Sequence, residues 1–255
     1  MTQAEQAAGF AALHERGNPL VLFNIWDAGS AQAVVKAGAQ AVATGSWSVA
    51  GAMGYADGQG LPLDFLLRIA ERIAETAGVP LTVDFEGGYA VEPEPLADNI
   101  RALVATGAVG LNFEDQVIGG EGLHGIETQV ARIRAIRAAG EAAGVPLFIN
   151  ARTDLFLKDR EPANHPGLMA AAIERAEAYA EAGASGFFAP ALITPDLIGQ
   201  LCETTPLPVN VMALPGAPDR ATLAGLGVSR ISHGPGPWRA MQKWLAEAAT
   251  AAMTG

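Results

Sequence analysis

Acidic and amide side chains recur at the ends of short apolar runs, two residues apart. One run ends Val83-Asp84-Phe85-Glu86-Gly87-Gly88, the next Asn112-Phe113-Glu114-Asp115, and a third Asn150-Ala151-Arg152-Thr153-Asp154. In an extended strand, residues i and i+2 point the same way, so Asp84 with Glu86, Asn112 with Glu114, and Asn150 with Arg152 are each expected on one face. Carboxylates gathered in one place repel and raise one another's pKa unless a cation sits among them. Hard oxygen donors suit Mg²⁺, or Mn²⁺, which takes one or two carboxylates and keeps several waters. Arg152 adds a planar fork suited to a substrate carboxylate. The chemistry this implies is metal-assisted work on a small oxo or enol carboxylate. Asn210, carried by the seventh run, and His233, at the end of the eighth, are further candidates for substrate binding.

Each of these residues also has a purely structural reading. Asp84 and Glu86 can cap a turn, Glu114-Asp115 can be a solvated strand end, and Arg152 can serve Asp154 or Asp84 as a counter-ion. His233, beside Gly234-Pro235-Gly236, can anchor a loop. Asp27, before Ala28-Gly29-Ser30, reads as a helix cap. Other chemistries find little support. The histidines at 14, 124, 165 and 233 form neither HxH nor HExxH, against a zinc hydrolase. The lysines, at 36, 158 and 243, all lie outside the strand candidates, against a Schiff-base enzyme. Cys202 falls in a helical stretch and reads as buried filler. Gly216 and Gly234 follow the last two strands, where barrels often hold phosphate, but Pro215, Pro235 and Pro237 supply no N–H there.

The elements that must position these groups announce themselves by a repeated junction. Six helix-like stretches end in glycine before an apolar run, at Gly38, Gly78, Gly107, Gly144, Gly183 and Gly227. Glycine just past a helix can adopt the left-handed conformation that closes the last turn. With Pro206-Leu207-Pro208 as a further junction, eight strands are expected: 20–24, 41–44, 81–86, 109–114, 147–152, 186–189, 209–212 and 229–233. Helical patterns such as 63–76, 127–143 and 167–182 lie between them. Strand–helix alternation means a parallel sheet, and eight units favour closure into a (β/α)₈ barrel over an open doubly wound sheet. Ligands would then bind at the strand C-termini, where the polar residues collect. The 255 residues read as one domain, with 237–253 as a terminal helix carrying Trp238, Met241 and Trp244.

Composition adds bounds. A net charge of −11 argues against nucleic acid as a partner. No apolar run is long enough to span a bilayer, the start of the chain lacks a secretory pattern, and a lone cysteine suits a reducing compartment, so a cytoplasmic location is expected.

Several motifs resemble the isocitrate lyase/phosphoenolpyruvate mutase superfamily: Phe23-Asn24-Ile25-Trp26-Asp27-Ala28-Gly29-Ser30-Ala31, Thr44-Gly45-Ser46, Gly54-Tyr55-Ala56-Asp57-Gly58, Asp84 to Tyr89, Gly110 to Asp115 and Asn150 to Asp154. The resemblance runs from about residue 18 to 240. It implies a barrel whose last helix, here Trp238 to Ala249, swaps between paired subunits in a homodimer or homotetramer. It further implies Asp84 as the direct Mg²⁺ ligand, with Asp57, Glu86 and Glu114 reaching the metal through water. Gly45, Ser46 and Trp47 would hold the substrate's carboxylate and oxo oxygens, and Arg152 would contact the substrate. The implied chemistry is carbon–carbon cleavage of a 2-oxo or 2-hydroxy di- or tricarboxylate. Carbon–phosphorus mutase chemistry is the alternative, and 2-oxo acid binding without turnover a third. The superfamily's lyases carry a Lys-(Lys/Arg)-Cys-Gly-His loop after strand four. Here that loop reads Gln116 to His124 with neither lysine nor cysteine, so isocitrate lyase activity itself is not expected. Its glycines at 119, 120 and 122 suggest a mobile lid, with Glu121 and His124 as polar residues on it.

Overall fold

The structure, a computed structural model, describes residues 1–254. All eight expected strands form, each within a few residues of its predicted bounds: β1 (Leu20–Leu22), β2 (Val42–Ala43), β3 (Leu81–Asp84), β4 (Gly110–Glu114), β5 (Phe148–Arg152), β6 (Gly186–Phe188), β7 (Val209–Met212) and β8 (Arg230–Ser232). They are parallel, in the order β1-β8-β7-β6-β5-β4-β3-β2. The remaining seam, between β1 and β2, closes through one bridge: Ile25 N–H donates to Ala43 O at 2.8 Å and Gly45 N–H to Ile25 O at 3.2 Å. The result is a nearly closed (β/α)₈ barrel with flanking helices.

Helix Leu63–Ala77 shows how the sequence dictates one of these units. Pro62 precedes it, and Leu66, Ala70, Ile73 and Ala77 recur every three or four residues and are buried against the sheet. Gly78 ends it at φ 69°, in the left-handed region, and the other five junction glycines also have positive φ. Burying Leu66 and Ile73 stabilises the contact by about 1.5–3 kcal/mol each, so Ile73→Asp would undo this face. Opposite, the same helix pairs Arg68 with Asp64 at the surface, which contributes little.

The strand register assembles the interior. Asp84 pairs with Asn112, Asn112 with Asn150, Glu114 with Arg152, and Asn210 with Arg230. Within the barrel, Asn150 donates to Asn112 at 2.8 Å, Arg230 donates to the same oxygen at 3.1 Å, and Asn210 bonds Ser232 at 3.1 Å. A column of satisfied amides thus fills the axis beneath the mouth. The opposite end is plugged by helix Gln3–Ala12, whose Phe10 packs edge-on to Phe148 at 5.4 Å. Gly110 permits that closeness, since a Cβ there would meet Phe148 O at 2.9 Å and Phe10 at 3.1 Å.

Helix Gly236–Thr254 behaves differently from the rest. Pro237 is its one buried residue, while Trp244 is 65% exposed and Leu245 49%. The outer face of β1 is correspondingly bare. A groove of about 820 Å³ runs past Val21, Phe23 and Val34 to Arg220. No helix among the described residues is long and apolar enough to cross a membrane.

Candidate active site

At the C-terminal ends of the strands lies a cavity of about 530 Å³, and Asp84 is on its wall. Thr44 fixes this residue by accepting from its backbone N–H at 2.9 Å, and Ser46 N–H donates to its Oδ2 at 3.0 Å. The other oxygen, Oδ1, is buried without a partner. An orphaned carboxylate oxygen is costly unless a ligand completes it. Asp57 lies on the loop above with its backbone side open to solvent; withdrawal of its carboxyl from water, then Asp84, raises its pKa against the pull of a hydrogen bond from Ser46 and of Arg152.

Glu86 was expected to share a strand face with Asp84. Instead the strand stops at Asp84, and Phe85 to Gly88 forms a tight turn in which Glu86 takes φ 50°, so strand alternation no longer relates the two. Glu86 is 5% exposed and accepts from Gln59 N–H at 2.8 Å, behind the cavity lining. Burial first, then Asp84 and Asp57, push its pKa up to about 7. Gln59 also has a left-handed backbone, at φ 61°, and its carboxamide, with the oxygen turned inward, accepts from Gly87 and Tyr89 N–H. Two strained loops are therefore stapled together next to Asp84, a pattern common at functional sites.

Arg152 reaches the cavity but is already engaged. It donates to Asp154 through Nε at 2.5 Å and through a second nitrogen at 2.9 Å, and pairs with Glu114 at 2.9 Å. Burial works against its charge, yet Glu114 and Asp154 more than offset this and raise its pKa. Burial raises that of Glu114 while Arg152 opposes it. An arginine has five donors, so N–H groups remain for a ligand. Behind this pair Asp115 accepts from Asp154 N–H at 3.0 Å, Tyr179 OH at 2.9 Å and Arg175 at 3.1 Å, fixing the loop after β5.

Of the residues singled out in the sequence, the cavity brings together Gly45, Ser46, Trp47, Asp57, Asp84 and Arg152. Glu114 stands behind Arg152. Asn210 sits one layer back, bonded to Ser232, which does line the cavity. His233 is outside it: its ring packs on Phe23 at 4.9 Å, and its N–H donates to Asn24 at 2.9 Å. Asp27 caps its helix, accepting from Ser30 N–H at 2.7 Å, and Cys202 is buried. Glu121 is exposed on the loop after β4, away from the lining. Arg160 and Arg239 line the mouth, neither in an ion pair among the described residues, and Arg239 stacks 4.6 Å over the ring of Trp47. They escaped the sequence reading because they sit in a loop and the last helix, far from any strand end.

Among the described residues no three His, Cys, Asp or Glu side chains meet as a ready-made metal cluster. Asp84 with Asp57 still fits an octahedral cation that keeps most of its waters, and the unpartnered Oδ1 is where such an ion would be held.

Residues 10–253 match the family model for phosphoenolpyruvate phosphomutase. A Burkholderia cenocepacia structure provisionally assigned as a phosphonomutase is 45% identical, with 98% of this chain and all of that chain covered and a TM-score of 0.95. The 2-methylisocitrate lyase of Escherichia coli is 32% identical over 206 residues, 78% of this chain and 67% of the lyase. A phosphonopyruvate hydrolase solved with oxalate and Mg²⁺ shares the fold at 22% identity and TM-score 0.84, covering 98% of this chain and 87% of that one. With the model matching nearly the whole chain and the motifs gathered around one cavity, the chain belongs to the phosphoenolpyruvate phosphomutase family, within the isocitrate lyase/PEP mutase superfamily.

Proposed function

We propose that the protein is a Mg²⁺-dependent carbon–carbon lyase for a small 2-oxo or 2-hydroxy di- or tricarboxylate, with Mn²⁺ able to substitute. The observation that carries this reading is the buried, unpartnered Oδ1 of Asp84 on the wall of a cavity that also holds an arginine. When bound, the cation supplies Lewis-acid polarisation of the substrate's oxygens. Asp84 holds it, with Asp57, Glu86 and Glu114 around its water shell. Arg152 offers its remaining N–H groups to the substrate carboxylate. The Trp47 N–H, which has no acceptor among the described residues, and the Ser46 hydroxyl bind the oxo side. Asp57, exposed and with a raised pKa, is the group placed to pass a proton at the mouth. Incubating the protein with a panel of such acids, with Mg²⁺ and with EDTA, tests this. Metal-dependent release of pyruvate, glyoxylate or CO₂ is expected, and tight binding without turnover would make it a 2-oxo acid receptor instead.

Carbon–phosphorus mutase chemistry is the second reading, favoured by the 45% identical relative provisionally called a phosphonomutase. Phosphorus NMR with phosphonopyruvate decides it. We further propose a homodimer, alone or paired into a homotetramer, in which helix Gly236–Thr254 of each copy covers the bare β1 face of the other. The exposed Trp244 and Leu245 and the uncovered Val21 and Phe23 support this. Light scattering that gives a monomer would end it.

A further inference from the structure

Two buried residues of the cavity lining, Asn112 on β4 and Ser232 on β8, are held by one side chain from deeper in the barrel. This is Arg230, which begins β8. Its Nη2 reaches across the interior to donate to Asn112 Oδ1 at 3.1 Å, and its Nε donates to Ser232 Oγ at 3.3 Å. The guanidinium is fully buried and in no ion pair among the described residues, and its Nη1 has no partner. Burial lowers the pKa of Arg230 to about 9, Asp84 opposing, so the group is charged at neutral pH. A buried cation without a carboxylate beside it is costly to keep.

What the arginine imposes is an orientation. A guanidinium has donors and no acceptor, so the Asn112 atom that faces it must be the carbonyl oxygen. Asn150 Nδ2 donates to the same oxygen at 2.8 Å. Both lone pairs of Oδ1 are thereby used, and the carboxamide NH₂ is turned the other way. It has no acceptor among the described residues, and Asn112 is part of the cavity lining. An amide NH₂ cannot ligate a cation; it can only donate to an oxygen. Asp84, the register neighbour of Asn112, presents the opposite character, an acceptor left without a donor.

We infer that Asn112 is a substrate-binding residue whose Nδ2 donates to an oxo or carboxylate oxygen of the ligand, and that Arg230 is a positioning residue that locks the amide in this orientation. The inference rests on the function proposed for the cavity and adds to it a neutral donor beside Asp84. An asparagine free to turn would offer either end; the locked one selects an acceptor.

The test is calorimetry of oxalate, a small anion with vicinal oxygens, binding to the Mg²⁺-saturated full-length protein, with thermal unfolding of each variant alongside. Asn112→Asp and Arg230→Gln should each bind oxalate about 10- to 100-fold more weakly than wild type, the worth of one hydrogen bond to a charged group. Gln carries an acceptor of its own, so it frees the Asn112 amide to turn, and it adds no negative charge that could repel the ligand. Arg230→Lys restores an obligate donor and should recover most of the loss. Melting temperatures of the two weakened variants should equal or exceed that of wild type. Arg230→Gln removes a buried unpaired charge, and Asn112→Asp gives that charge a partner. Oxalate binding that is unchanged in both variants, or lost in step with their folding, would overturn the inference and leave the proposed function standing. Oxalate that fails to bind the wild type would remove both.

Discussion

The two ends of the barrel both bury titratable groups, but they treat them in opposite ways. At the plugged end, His14 is sealed between Phe10 and Phe148, stacked on the latter at 3.9 Å, and is in no ion pair among the described residues. It is neutral because neutrality is the cheapest state for a buried ring. At the open end, Asp84, Glu86 and Glu114 crowd together, and one oxygen of Asp84 is left without a partner. Such crowding is unfavourable by itself and would be relieved by the cation proposed for this site. Stability is built at the bottom of the barrel, and a binding deficit is kept at the top.

Two substitutions at the open end should break that contrast. Asp84→Ala removes the oxygen proposed to hold the cation and relieves repulsion. Metal-dependent turnover should fall by at least about 10³-fold, while thermal unfolding stays close to wild type because relief of the carboxylate repulsion offsets the Ser46 N–H bond lost from Oδ2. Turnover that survives this change would refute the metal assignment. Arg152→Lys should cost about 1–3 kcal/mol in kcat/KM, since an ammonium cannot hold Asp154 and Glu114 and still offer a fork to substrate. Unaltered KM and kcat would take Arg152 out of the site.

How much of this was legible beforehand depends on the range of the signal. The barrel was readable because six helix-closing glycines and eight apolar runs are local patterns, and the left-handed φ values at those glycines are the physical form of that pattern. The polar wall was readable in composition, as Asp84 and Arg152 lie at strand ends. Alternation failed two residues beyond the strand, where the chain turns left-handed at Glu86. Asn210 was expected to touch substrate, but membership of a strand says nothing of depth, and it lies below the cavity, bonded to Ser232. Arg160, Arg239 and the Arg175–Tyr179 support of Asp115 depend on contacts between residues distant in sequence, which no spacing rule reaches.

The smallest expected effect sharpens the comparison most, because acid should act on the two ends with opposite signs. Burial, then the charge of Arg230, lowers the pKa of His14 to about 3. Its Nδ1 faces Phe10 O at 2.9 Å and so carries the proton, which leaves Nε2 bare, buried and without a donor. The native state keeps this ring neutral down to about pH 3, while the unfolded chain takes up a proton near 6.5. The stability tied to His14 is therefore complete above 6.5 and declines as pH falls from there toward 3. By pH 5 the loss should be on the order of 1–2 kcal/mol. Glu86 works the other way in the metal-free protein: its native pKa of about 7 lies above the ordinary 4.5, so acidification across that range stabilises the fold. Total stability can thus look flat with pH while two large terms cancel. Urea unfolding of wild type and His14→Phe in EDTA, at pH 7.5 and 5, separates them. The wild type should lose 1–2 kcal/mol more than the variant on acidification, on the order set by the linkage above. Parallel losses would mean that His14 is already protonated in the native state, and that the plugged end is not the sealed one.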